Sequence, residues 1–374
     1  MKNSLLCVIM LLLLSDIAGF PVRIGLFNEH RVRSIVVSSW DGQLIVSAAD
    51  SFHYVIANGQ AVYATLRDGR IWLSDEREQI GSFETITVRG ADSLTVVRLR
   101  PTSPQIEARN YEELIILTAD INRIRLINQI DKELYIAGVV EAETGQGQTS
   151  EFYKAMAIIC RTYLYGNINR HQNEGFHLCD EVHCQAYKGE LRDRNMILSA
   201  VTATDNIIIT DSQDSKPILA VYHSNCGGQT EPSQNVWQTS QPYLIAITDH
   251  YCTSSPNAHW QRTIPLNDWT AYLVNNGLTH NANINYSFQQ PRRMQNYMVN
   301  NLTIPLRNIR ADWQLRSTFF SISVEGNNVV LRGRGFGHGV GLCQEGAMEM
   351  GRRGYKYDAI INFYYKNVNL TKVE

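Results

Sequence analysis

One stretch of the chain is patterned for a helix, and the segments before it are not. From Thr149 or Ser150 to Asn167, the residues Phe152, Ala155 or Met156, Ile159 and Tyr163 recur at helical spacing and form an apolar stripe. Ser150 is placed to accept from the exposed N–H groups of the first turn, and Glu151 suits the positive end of the dipole. Lys154 and Arg161, about two turns apart, share a different face. From about Pro21 to Ala108 the pattern changes to short β-branched runs broken by turn residues, among them Ser34–Val37, Gln43–Val46 and Thr85–Val88. Pro101 to Asn110 reads as a linker. Glu113–Leu117 and Arg123–Asn128 read as a hairpin feeding an apolar strand over Tyr135–Val140, with Glu143 in the turn that follows. A late helix is expected near Gln344 to Gly351. These signals predict an α+β fold, with a β-rich N-terminal domain over 20–108 and a mixed second domain over 109–374.

The first residues carry a different signal. Met1 and Lys2 precede an apolar run from Leu5 to Leu14, and small and polar residues follow around Ser15 to Gly19. This is the pattern of a signal peptide, expected over 1–19. The run is short for a bilayer, which takes about 20 residues, and no later segment is apolar enough to span one. Cys7 lies inside the run, too early for a lipid anchor, so the expected destination is the periplasm or the extracellular cell wall. A hydrophobic fraction of 44% over 374 residues supports a full core. The formal charge of -2 gives no field that would gather a polyanion, so nucleic acid is excluded as a partner. The cysteines after the signal segment are Cys160, Cys179, Cys184, Cys226, Cys252 and Cys343. An exported protein permits disulfides, but these are too sparse for a stapled miniature fold.

Four blocks stand out from the rest of the chain. They are Tyr135-Ile136-Ala137-Gly138-Val139-Val140-Glu141-Ala142-Glu143, Lys154 to Tyr163, Tyr222-His223-Ser224-Asn225-Cys226-Gly227-Gly228-Gln229-Thr230, and Gly335 to Ala347 with the run Gly337-His338-Gly339-Val340-Gly341. In this order they resemble the signature blocks of the stage II sporulation protein D (SpoIID/LytB) family, over roughly Tyr111 to Tyr365. The resemblance implies a lytic transglycosylase that cleaves the MurNAc–GlcNAc bond of peptidoglycan and leaves a 1,6-anhydro-MurNAc end. It places the catalytic glutamate on Glu143. The family's usual pattern continues Glu-Met-Pro, whereas this chain reads Glu143-Thr144-Gly145. The chemistry needs one carboxyl group, which protonates the glycosidic oxygen and then takes the proton of the muramic 6-hydroxyl. Ordinary glycosidases pair two carboxyl groups instead. A raised pKa would suit Glu143, and the apolar segment before it is the expected source of desolvation. Glu141 would share its face if the strand continued, and only the resemblance separates the two.

Other residues are candidates for substrate. Arg161 lies in the matching block, where its planar fork would suit a carboxylate, and Lys154 is a weaker candidate on the same face. Gly227-Gly228 lets the backbone come close to a ligand beside His223 and Ser224. His338, flanked by glycines, and Gln344 complete the substrate-binding set. Trp237, Tyr243, Trp260 and Trp269 are sized to stack on sugars, but such aromatics are usually core, and none is assigned.

His171, His177, Cys179, His183 and Cys184 gather five zinc-type ligands in one loop. A Cys179–Cys184 disulfide with surface histidines is the alternative. The resemblance suggests a zinc near this segment, structural because the reaction uses no water; catalysis calls for no cofactor. Cys226 and Cys252 are a second possible pair that the sequence leaves open. Partners follow from the same reading: glycan strands, perhaps stripped of stem peptides, and a cell-wall amidase. The rival functions are a non-catalytic wall-binding protein that enhances a partner amidase, and a zinc hydrolase built on the His and Cys loop.

Overall fold

The β-branched runs form strands, and their alternation fixes which side is buried. The computed structural model describes residues 21–373 except 50, 238 and 280–282, so the expected signal segment lies outside the described residues. The strands up to the site are β1 (Pro21–Leu26), β2 (Ser34–Ser38), β3 (Leu44–Ala48), β4 (His53–Ile56), β5 (Ala61–Arg67), β6 (Arg70–Ser74), β7 (Gln79–Phe83), β8 (Thr85–Gly90), β9 (Val97–Ser103), β10 (Arg109–Tyr111), β11 (Leu114–Ala119), β12 (Ile124–Asp131) and β13 (Leu178–Cys179). In β5, Val62, Ala64 and Leu66 are buried while Tyr63 and Arg67 are exposed, the period of two of a one-sided strand.

Two sheets result, one ordered β13-β1-β12-β11-β8-β3-β4 and the other β10-β9-β2-β5-β6-β7. The first runs across position 108, because β1 pairs with β12 and β8 pairs with β11. The expected hairpin is β11–β12. The expected linker is instead the end of β9 and the start of β10, which pair with each other. Pro101 fits near the end of β9, opposite Ile35 and beside a register shift that relieves the ladder of its missing donor.

The segment read as an apolar strand is a helix, α1 (Lys132–Thr144). The Asp131 carboxylate caps it, accepting from the N–H groups of Glu133 at 2.8 Å and Leu134 at 3.1 Å. Tyr135 to Val140 are all buried, so the helix is apolar on every side and shows no 3.6-residue period to distinguish it from a strand. The second helix, α2 (Ser150–Asn167), starts one residue after its cap, which is Thr149 rather than Ser150. It crosses the core against α1, the strand Ile207–Asp211 and the two C-terminal helices, Gln344–Arg352 and Tyr357–Tyr364. A separate apolar cluster including Ile264, Trp269, Phe320 and Leu331 organises residues between 259 and 334 around the sheet of His259–Pro265, Phe320–Glu325 and Asn328–Arg334. The fold is therefore α+β. No helix among the described residues is long and apolar enough to cross a membrane.

Candidate functional site

Glu143 stands in the last turn of α1, and the helix separates it from Glu141. Two residues along a helix turn the side chain by about 200°, so the two carboxylates face apart. Glu141 accepts from the N–H groups of Arg192 and Asp193, both at 2.9 Å, and is spent on that loop. Glu143 is half-buried and accepts from the Ala186 N–H at 3.0 Å through Oε1, with the Tyr222 hydroxyl as a second donor. Burial raises its pKa, while the two donors and the charge of Lys188 work in the opposite direction. The result is a carboxyl group biased toward the acid, with hydrogen bonds ready for the carboxylate. Tyr222 lies in the third block, but a tyrosine at the end of an apolar run carries no sequence signal that marks it as a site residue.

The blocks around residues 222 and 338 meet beside it. Tyr222–His223 pairs in parallel with Leu342–Cys343, which brings His223 and the glycine-flanked His338 together, their ring centroids 5.4 Å apart and their planes tilted by 58°. His223 Nδ1 lies 3.1 Å from the Val340 carbonyl, an acceptor, so Nδ1 holds the proton and Nε2 is left to accept. That Nε2 is buried and has no partner among the described residues. Burial first, then His338 and Arg293, hold His223 far below its ordinary pKa, so the ring is neutral. His338 Nδ1 accepts from the Val340 N–H at 3.1 Å, and burial pushes its pKa down to about 4. The Trp237 ring lies 5.1 Å from His338 and is 40% exposed, so it is available as a stacking surface. His338 also lines a cavity of about 300 Å³ together with Glu231, Asn235, Met294 and Arg310.

Gln344 Nε2 donates to the Glu143 carbonyl at 3.2 Å, tying the Gly335–Ala347 block to the end of α1. Ser224 takes part through its backbone carbonyl, which accepts from the Glu345 N–H at 3.0 Å.

The two cations of α2 are placed elsewhere. Arg161 is fully buried, with Nε and Nη2 on the two oxygens of Glu133 and further bonds to the carbonyls of Val201 and Ile207. Lys154 pairs with Glu151 at 2.8 Å on the same helix. The structure does not bring either of them to Glu143.

The loop after α2 assembles four of its five ligand-type residues. His171, Cys179, His183 and Cys184 place their ligand atoms within 4.8 Å of one another. Cys184 Sγ lies 3.4 Å from His171 Nε2 and 3.7 Å from His183 Nδ1, which is also 3.7 Å from Cys179 Sγ. Both cysteines are free, and the hydrogen bond from Cys179 lowers the Cys184 pKa to about 7. His177 stays outside the group, its Nδ1 accepting from the Arg23 N–H at 3.1 Å. Two residues beyond Cys184 comes Ala186, the donor to Glu143, so the loop and the carboxylate are parts of one site.

Residues 120–210 match the SpoIID family, described as Stage II sporulation protein. Among curated proteins, the chain is 28% identical over 252 residues to a protein of Brachyspira hyodysenteriae, covering 66% of this chain and 68% of that one. It is 27% identical over 300 residues to stage II sporulation protein D of Bacillus subtilis, covering 75% and 85%. It is 23% identical over 294 residues to the amidase enhancer of Bacillus subtilis, covering 63% of this chain and 40% of that protein.

Proposed function

We propose, from the match of residues 120–210 to the SpoIID family and the likeness to stage II sporulation protein D of Bacillus subtilis, that this chain is an exported lytic transglycosylase that cuts peptidoglycan glycan strands with Glu143 as its acid and base. The observation that carries the reading is the setting of that carboxyl group: half-buried, raised in pKa, and held by the Ala186 N–H and Tyr222 hydroxyl. As the acid, Glu143 protonates the oxygen linking MurNAc to GlcNAc. As the carboxylate, steadied by its two donors, it removes the proton of the muramic 6-hydroxyl while that oxygen closes on C1. No second carboxylate is needed, in keeping with Glu141 being committed to the 192–193 backbone.

The neutral histidines suit sugar hydroxyls, His223 Nε2 as acceptor, and Trp237 offers a face for a pyranose ring. Arg307 and Arg310, which line the same cavity as His338, are the cations available there for the lactyl carboxylate of muramic acid.

Zinc fits the loop. Bonds of about 2.3 Å to sulfur and 2.0 Å to nitrogen put sulfur and nitrogen about 3.5 Å apart around a tetrahedral ion, close to the separations here. Glu174 on His171 Nδ1 directs the free electron pair of Nε2 toward the two sulfurs. Were His183 Nδ1 to hold the ion, the ring proton would sit on Nε2, where the Arg170 guanidinium stands 3.1 Å away and would have to turn aside. Four protein ligands leave no open position, so such a zinc would hold the loop, and with it the Ala186 N–H, rather than activate water.

The test is mass spectrometry of purified glycan strands, with and without stem peptides, after incubation with wild type and Glu143→Gln. Anhydro-muramic ends from the wild type alone support the reading, and reducing ends would replace it with hydrolysis. Likeness to the amidase enhancer favours a second reading, a wall-binding partner of an amidase. Absence of any cleavage, together with stimulation of an added amidase, would select it.

A further inference from the structure

A second group of ligand-type side chains lies behind the two histidines. Cys226 lies within the His223 block, Asp249 and Cys252 come from a loop of their own, and Cys343 immediately precedes the helix Gln344–Arg352. All four are buried, and their ligand atoms lie within 4.8 Å of one another. Cys226 Sγ is 3.3 Å from Cys252 Sγ and 3.2 Å from Asp249 Oδ2.

Three features of this group call for a cation. Asp249 is fully buried, and among the described residues its partners are the Tyr364 hydroxyl at 3.0 Å, the Tyr251 N–H at 2.8 Å and the Cys226 thiol, none of them positively charged. A carboxylate buried without a counter-charge is costly, and a dication removes that cost. The Cys226 N–H donates to Cys343 Sγ at 3.2 Å, so this sulfur already serves as an acceptor, as a thiolate would. Oxidation cannot satisfy the set, because a Cys226–Cys252 disulfide would leave a thiol and a carboxylate buried beside it. The sulfurs are well beyond the roughly 2.05 Å of a bond and near the separation of about 3.8 Å that a tetrahedral zinc imposes on two thiolates.

We propose that Cys226, Asp249, Cys252 and Cys343 form a closed zinc site, three thiolates and one carboxylate, that ties together the loops forming the back wall of the cleft. Thiolate sulfur and carboxylate oxygen are both donors that zinc takes, three thiolates favour it over harder cations, and the burial of the group leaves no position for water or substrate. Binding releases the three thiol protons. The surroundings fit the role: the Tyr364 hydroxyl orients Asp249, and Arg293 brings its positive charge to the rim by donating to the Cys226 carbonyl at 2.8 Å. Gln344, next in sequence to Cys343, reaches the Glu143 carbonyl, so the ion would brace the end of α1 from behind.

The experiment measures zinc per chain in protein purified without chelator. It compares wild type, a Cys179→Ser/Cys184→Ser variant lacking the sulfurs of the other loop, and that variant carrying Cys252→Ser as well. The double variant is expected to retain one equivalent and the triple variant none, and cobalt exchanged into the double variant should give the charge-transfer absorption of a tetrahedral thiolate site. If the double variant does not fold, competition with a chromophoric chelator replaces it. Asp249→Asn in the wild-type background should then weaken one class of zinc at least tenfold and leave any other class unchanged. No zinc attributable to these residues, or a Cys226–Cys252 disulfide found in protein alkylated on unfolding, overturns the proposal. The readout is metal rather than glycan, so the outcome is independent of the reaction assigned to Glu143.

Discussion

Replacing Glu133 decides whether Arg161 serves the fold or the cleft. The guanidinium is fully buried, holds Glu133 with two nitrogens, and otherwise meets the carbonyls of Ile207 at 3.0 Å and Val201 at 3.3 Å. Removing one member of a buried pair costs about 3–5 kcal/mol, because the other is left as an uncompensated charge. The two deletions are not equivalent. Without Arg161, Glu133 still faces Lys132 Nζ at 3.3 Å and is 16% exposed, so a second cation and water absorb part of the loss. Without Glu133, Arg161 keeps only carbonyl dipoles in a site closed to water. Glu133→Gln is therefore expected to cost about 4 kcal/mol and Arg161→Met about 2–3 kcal/mol, with the double variant less destabilised than the two singles added together. Urea denaturation of the three variants gives these differences, and glycan cleavage per folded molecule gives the functional side. If Arg161→Met kept wild-type stability while raising KM more than tenfold, the residue would belong to the substrate and the argument from burial would fail.

Glu143 reports its own environment through stability. Its pKa is raised by burial, so the folded state holds that proton more tightly, and stability falls as pH rises from the ordinary carboxylate value through the raised one. Glu143→Gln should accordingly melt above the wild type at neutral pH, with the gap closing as pH falls below that window; a gap independent of pH would deny the raised pKa. Gly145→Ala meets no atom within 4 Å but forces φ of 67° on a side chain, and should cost about 1–3 kcal/mol by chemical denaturation. Asp131→Ala removes the cap of α1 and should cost about 1 kcal/mol in the same assay. Cys179→Ser/Cys184→Ser, or chelation, should slow glycan cleavage roughly 10-fold or more by releasing the Ala186 N–H from Glu143, whereas an unchanged rate would separate the loop from the site.

Sequence gave the strands of the N-terminal region, the β11–β12 hairpin and α2 because their burial is one-sided or their spacing regular. It missed α1 because that helix is buried all round, and Asp131, the cap that marks its start, stands directly before a lysine and a glutamate rather than an apolar run. That error carried over to the site: on a strand, Glu141 and Glu143 are neighbours, whereas on a helix they part. The four blocks contain the glutamate, both histidines and Gln344, which the structure brings close to one another. They could not tell that Arg161, inside the second block, turns inward, since a buried ion pair depends on a partner 28 residues away. Spacing alone does not contain the distances that bear on zinc against a disulfide, such as the 3.4 Å between Cys184 Sγ and His171 Nε2.

The departure from Glu-Met-Pro can now be read as a change in how the helix is stopped. A proline after the glutamate ends a helix by lacking the N–H and by steric clash. Here Gly145 ends it, with φ of 67° and ψ of -174°, a region nearly closed to side chains, and its N–H returns to the Glu141 carbonyl at 2.9 Å. Thr144 remains inside, its hydroxyl donating to the Val140 carbonyl at 2.6 Å. The turn is then pinned from α2, where the Tyr153 hydroxyl donates to the Gly145 carbonyl at 3.0 Å and accepts from the Gln148 N–H at 3.1 Å. Glu143 thus keeps its place in a rigid last turn, fastened by Gln344 on one side and Tyr153 on the other. A surface that only bound the wall would not require a half-buried carboxyl group to be held this firmly, whereas a group that must give up a proton and take one back at neighbouring oxygens does.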